Sequence, residues 1–96
     1  MPASSMQFRL DADTETLLKA VLLHLVFRGG EVVGRYGRTG HVLGRLDAAV
    51  LTATLTEPRR RAELKVTFKP DFGSFHGHVK FEQEPDRKIA GTRVTR

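Results

Sequence analysis

Glu31-Val32-Val33-Gly34-Arg35-Tyr36 and His41-Val42-Leu43-Gly44-Arg45-Leu46, separated by Gly37-Arg38-Thr39-Gly40, decide the fold. In each stretch, residues two apart belong together. Val32, Gly34 and Tyr36 share one face, as do Val42, Gly44 and Leu46, while Arg35 and Arg45 point the other way. A period of two is that of a half-buried strand. A short glycine-bearing turn between two such runs makes them an antiparallel hairpin.

The same period continues toward the C-terminus. Leu51, Ala53 and Leu55 alternate with Thr52, Thr54 and Thr56. Ala62, Leu64, Val66 and Phe68 alternate with Glu63, Lys65 and Thr67. Phe75, Gly77, Val79 and Phe81 alternate with His76, His78 and Lys80, and a last short strand spans Ile89 to Val94. The links, Asp47-Ala48-Ala49, Glu57-Pro58-Arg59-Arg60 and Lys69-Pro70-Asp71-Phe72-Gly73, are short and carry turn residues. Strands joined this tightly are antiparallel neighbours. The expected fold is all-β, an antiparallel up-and-down meander of six or seven strands, forming a curled sheet or a small barrel.

Toward the N-terminus the pattern is mixed. Thr14 to Phe27 holds good helix formers at Leu17, Leu18, Lys19, Ala20, Leu22 and Leu23, with Asp13 as a cap and Gly29 as a stop. Read as a strand, the same stretch turns Leu23, Leu25 and Phe27 inward and ends in Arg28-Gly29-Gly30-Glu31, a hairpin turn. The turn favours a strand from about Ala20 to Arg28. Residues 1–15 either add an edge strand, Met6 to Asp11, or stay mobile, and 16–94 form the meander of one domain, 1–96.

Residues Leu22 to Val94 resemble a glycine-punctuated antiparallel β-meander, lipocalin-like in appearance, of bacterial proteins without an assigned role. The resemblance rests on Gly34-Arg35-Tyr36, Gly40-His41-Val42-Leu43-Gly44, Ala53 to Pro58, Asp71 to Gly77 and Gly91-Thr92-Arg93. It departs where Ala53-Thr54-Leu55 replaces a Gly-x-Trp. It implies a fold and transfers no catalytic residue.

The 96 residues carry a formal charge of +5, and the basic excess lies in the middle: residues 16–81 hold eleven basic and five acidic side chains. Such a body attracts acidic or phosphate-rich partners. No apolar run approaches the ~20 residues of a membrane-spanning helix. The longest, Ala20 to Phe27, is broken by His24. Met1 to Leu10 lacks the basic-then-apolar form of a signal peptide. The absence of cysteine removes disulfides, thiol nucleophiles and thiolate metal ligands and suits the cytoplasm.

No polar set converges on a reaction. His76 and His78 share a strand face but have no carboxylate at a supporting spacing, and His24 and His41 complete a metal set only if the fold gathers them. Ser74 lacks the Gly-x-Ser-x-Gly context of a nucleophile. Asp71 and Glu57 sit where turn roles explain them. No enzyme, metal or cofactor is expected.

Two surface features remain. Arg35, Arg38, Arg45, Arg59, Arg60 and Arg61 are candidates for contact with an acidic protein or a nucleic-acid backbone. Base stacking is disfavoured, because Phe27, Tyr36, Phe68, Phe75 and Phe81 face inward and only Phe8 and Phe72 are free. Leu22, Val26, Val33 and Leu43 fall on the outer face of three strands and merge into one apolar patch, covered by a second copy or by residues 1–18 as a lid. The leading expectation is a non-catalytic binding or assembly module, with a homodimer as one form and a basic surface for an acidic partner. The alternative is a small lipocalin-like carrier of an apolar ligand, with Tyr36, Phe75 and Phe81 lining the interior.

Overall fold

Each alternating stretch forms a strand, and the strands close on themselves. The computed structural model describes residues 3–94, so residues 1, 2, 95 and 96 of the expected domain lie outside the described residues. In chain order the elements are β1 (Ser4–Leu10), α1 (Ala12–Leu18), β2 (Leu22–Arg28), β3 (Glu31–Tyr36), β4 (Gly40–Asp47), β5 (Val50–Thr56), β6 (Arg61–Phe68), β7 (Ser74–Phe81) and β8 (Arg87–Arg93). Every strand pairs antiparallel with its neighbours in sequence, and β8 returns to β1 to close the barrel.

The strands number eight rather than six or seven, because residues 4–10, expected as an edge strand over Met6 to Asp11 or as mobile chain, form a strand of the closed wall. β1 lies in the wall, paired with β2 from Ser4–Phe27 to Arg9–Leu22 and with β8 through Phe8–Arg93, Arg9–Thr92 and Leu10–Gly91. Phe8, expected to be free, is wholly buried, because it shares the inward face with Leu10.

The mixed stretch is divided rather than decided one way. Asp11, not Asp13, caps α1 by accepting a hydrogen bond from the Thr14 amide at 3.0 Å. Lys19 ends the helix in the left-handed region at φ 55°, and the strand begins at Leu22 instead of Ala20. Gly29 takes φ +60° in the β2–β3 turn and ends no helix. Seven residues make a helix too short to stand alone. Tertiary contacts hold it: Leu18 enters the core, and the fully buried Thr14 accepts the Ala90 amide on its Oγ1 at 3.0 Å. α1 follows β1 and precedes β2, so it caps one mouth of the barrel and covers no outer strand face. Residues 3–18 leave Leu22, Val33 and Leu43 exposed and so form no lid over them.

At the other mouth Phe8, Phe27, Phe68, Phe72 and Phe75 form one aromatic cluster, with centroid separations from 4.9 to 6.0 Å. Phe72, also expected to be free, is half-buried and stacked on Phe68 at 4.9 Å. Its backbone is left-handed, at φ 58°. The Asp71 carboxylate accepts the Gly73 amide at 2.8 Å and fixes that turn.

The molecule is 37 Å long and 23 Å across. Eight strands at this width enclose little more than their own inward side chains. Tyr36, Phe75 and Phe81 are buried in that packing. The void among the core residues measures about 10 Å³, at the lower limit of what a single water needs. The three rings fill the interior instead of lining a chamber.

Candidate functional site

With the interior filled, chemistry is confined to the outer face and the turns. Register aligns the outward side chains in rows that run across the strands. One row is Val26–Val33–Leu43, flanked by Ser5 and Thr54. The next, two residues along, is His24–Arg35–His41, continued by Thr56 and Arg61. Beyond it lie Leu22 and Val21.

The four apolar residues thus occupy the outer face as expected, with Leu43 at 65% and Val33 at 47% exposure, Leu22 exposed and Val26 half-buried. They do not merge into one patch. His24 separates Leu22 from Val26 along β2, and Arg35 stands beside His24 on β3. The result is two apolar zones with a cationic waist.

The surface is grooved along this line. A hollow of about 420 Å³ lies against Val26, Val33, Gly34, His24, Arg35 and His41. A second, of about 410 Å³, lies against Val21, Leu22, His24, Arg35 and Gly37. Both share His24 and Arg35. Gly34 lines the first, and a side chain there would run into the His24 carbonyl and the Leu25 side chain.

The arginines divide into three groups. Arg35 and Arg61 share the His41 row, and Arg38 and Arg59 occupy the β3–β4 and β5–β6 turns at the same, helix-capped end of the barrel. Arg45 lies on the other side of the valine row, beside Glu31. Arg60 leaves the triplet altogether. Its Nε donates to Glu57 Oε1 at 2.8 Å, its Nη2 donates to the Leu17 carbonyl at 3.0 Å, and its guanidinium lies on the Phe81 ring. Glu57 also accepts the Tyr36 hydroxyl at 2.7 Å. Burial first, and then this hydrogen bond to a carboxylate, hold the Tyr36 phenol protonated well above its ordinary range. The only trace of this cluster in the sequence is the Glu57-x-x-Arg60 spacing at a hairpin turn.

The remaining candidates are dispersed. His76 and His78 share the outer face of β7, where His78 pairs with Asp86 at 3.1 Å. His24 and His41 flank Arg35 and do not approach them. Among the described residues no group of three or more His, Cys, Asp or Glu side chains converges. Ser74 opens β7, and Asp71 and Glu57 serve the turns already described. A wider groove of about 900 Å³ crosses β5 to β8, but Lys65, Lys80 and Lys88 face Asp11, Asp13, Glu63 and Asp86 across it. It has no net sign. The lining of the β2–β3 groove contains no carboxylate.

No family model matches the chain, and neither a curated protein nor a solved structure gives a match. The lipocalin-like resemblance therefore stays at the level of the meander. No helix among the described residues is long and apolar enough to cross a membrane.

Proposed function

We propose that the protein is a non-catalytic binding module that holds an acidic protein partner on the outer face of its barrel. The observation carrying this reading is the placement of Arg35, Arg38, Arg59 and Arg61 toward one end of the barrel, with Arg35 beside exposed apolar side chains. Cations beside apolar surface suit a protein segment, whose acidic side chains steer and whose apolar ones anchor. A nucleic-acid backbone needs only the cations. The seven aromatic rings are all buried or half-buried, so base stacking has no platform.

Fluorescence anisotropy with labelled polyglutamate and with a duplex DNA of arbitrary sequence tests the reading. Polyglutamate is expected to bind at low salt and to weaken as salt rises. DNA binding with a steep salt slope would assign the surface to nucleic acid. Absence of binding to either at low salt overturns the proposal. A second copy is the other occupant favoured by an observation, the 65% exposure of Leu43; light scattering at low and high salt reads it directly.

A further inference from the structure

The two hollows that meet at His24 and Arg35 have a repeating chemistry along β2 and β3. At one end are Val26 and Val33, at the waist His24 and Arg35, and at the other end Val21 and Leu22. Side chains on one strand face recur every ~6.6 Å, so the zones are spaced like residues i, i+2 and i+4 of an extended chain. We infer that this groove receives an extended partner segment with an acidic residue between two apolar ones, the acid resting on Arg35 between His24 and His41. The inference rests on the acidic-partner reading and gives it a site and a sequence pattern.

Three observations select this occupant. The charge at the waist is of one sign, and no carboxylate lines either hollow. An extended segment usually docks by adding a strand to a sheet edge, but a closed barrel has no edge. Recognition must come from side chains, and the groove supplies three consecutive sites for them. A second copy fits poorly, because the outer surface offers no matching pattern. Glu31 is the carboxylate two residues from Val33 on β3, and its other flank is Gly29 in the turn. Two copies placed face to face would also oppose Arg35 to Arg35.

The test uses the isotope-labelled full chain and three peptides containing Leu-Ser-Glu-Ser-Leu, Leu-Ser-Lys-Ser-Leu or Ser-Ser-Glu-Ser-Ser, followed by amide chemical shifts. The first peptide is expected to shift amides of β2 and β3, and each of the others to bind at least ~10-fold more weakly, a difference of about 1.4 kcal/mol. Arg35→Glu and Leu22→Ser should each reduce binding, and both lie on exposed positions where the folded spectrum can be checked. Lys65→Glu with Lys88→Glu should leave it unchanged. Shifts confined to β6–β8, or loss on changing Lys65 and Lys88, would overturn the groove while leaving a basic-surface module standing. No shifts with any peptide, when polyglutamate still binds, overturns the groove alone; no shifts with polyglutamate either overturns both readings. A dimer in the absence of peptide that Leu22→Ser dissociates would give the groove to a second copy and overturn the inference.

Discussion

The guanidinium carbon of Arg60 lies 3.9 Å from the centre of the Phe81 ring. Three consecutive arginines at the β5–β6 hairpin therefore have two different jobs. Arg60 neutralises Glu57, satisfies the Leu17 carbonyl near the end of α1 and covers an aromatic ring of the core. Arg60→Ala removes all three and leaves Glu57 half-buried without its cation. The expected loss is about 1–3 kcal/mol in urea unfolding. Arg59→Ala and Arg61→Ala, both at exposed positions, should stay within ~0.5 kcal/mol. Equal effects at all three would contradict the internal role of Arg60.

Tyr36 is the single tyrosine of the chain, so phenolate absorbance reports it alone. In the unfolded chain a phenol ionises near ~10. In the barrel, burial and the bond to Glu57 push that ionisation higher. Above the unfolded value the unfolded chain has released a proton that the folded chain keeps. Stability is therefore full below pH ~10 and falls as pH rises through the window above it. Phenolate absorbance of the native protein should lag that of the denatured chain, and Tyr36→Phe should remove the alkaline loss. Coincident titrations would show that the Tyr36–Glu57 bond does not form in solution.

Leu55 is almost wholly buried, set on β5 between Val42 and Ala62 on the neighbouring strands. In a core without free space its truncation leaves a hole that cannot collapse. Leu55→Ala should cost ~2–5 kcal/mol. A loss below half of ~1 kcal/mol would mean that the β5 register is wrong.

Two glycines should respond in opposite ways to the same change. A Cβ at Gly77 would lie 2.6 Å from the Val66 Cα and against the Lys65 carbonyl, both backbone of β6. Backbone in a closed ladder yields poorly, so Gly77→Ala should destabilise by about 1–3 kcal/mol or more. At Gly30 the nearest atom is the Leu46 carbonyl oxygen at 3.7 Å, and φ is not left-handed. Gly30→Ala should be neutral or stabilising by up to ~1 kcal/mol, through the unfolded chain. Thermal unfolding of the two variants side by side distinguishes them.

Much of this barrel is legible from parity alone. Val32, Leu64, Val66, Val79 and their partners lie inward where a period of two puts them, and Arg35, Arg45, Lys65 and Lys80 lie outward. What parity does not carry is register between distant parts of the chain. Phe8 reads as free until β1 is known to pair with β8, a contact between opposite ends of the sequence. The helix is hidden for a related reason. Thr14, Leu17 and Leu18 make a short helical stripe, yet its stability comes from Ala90 and the barrel mouth, which no local pattern names. The groove was half visible: all four apolar residues can be read as outward, but the His24–Arg35 waist depends on which residue of β3 stands opposite which residue of β2. Arg60 reads as one of three equals because nothing in the sequence says that Phe81 lies beneath it.

The seam between β1 and β8 has a meaning in time. Seven of the eight strand pairings join strands consecutive in sequence, while the eighth unites Phe8 with Arg93. Strands β2 to β8 meet across short loops and β1 meets β2 across α1, at small entropic cost, while the last pairing must wait until the meander has brought the two ends together. Closure is then the late step of folding, and the seam, with three ladder pairs where β4 and β5 share seven, is the first part of the wall to part again. The amides of Val94 and Asp11, bonded across the seam to the carbonyls of Gln7 and Ala90, should exchange with solvent long before those of β5 and β6. The barrel is a ring in space, but it has a beginning and an end in the order in which it forms.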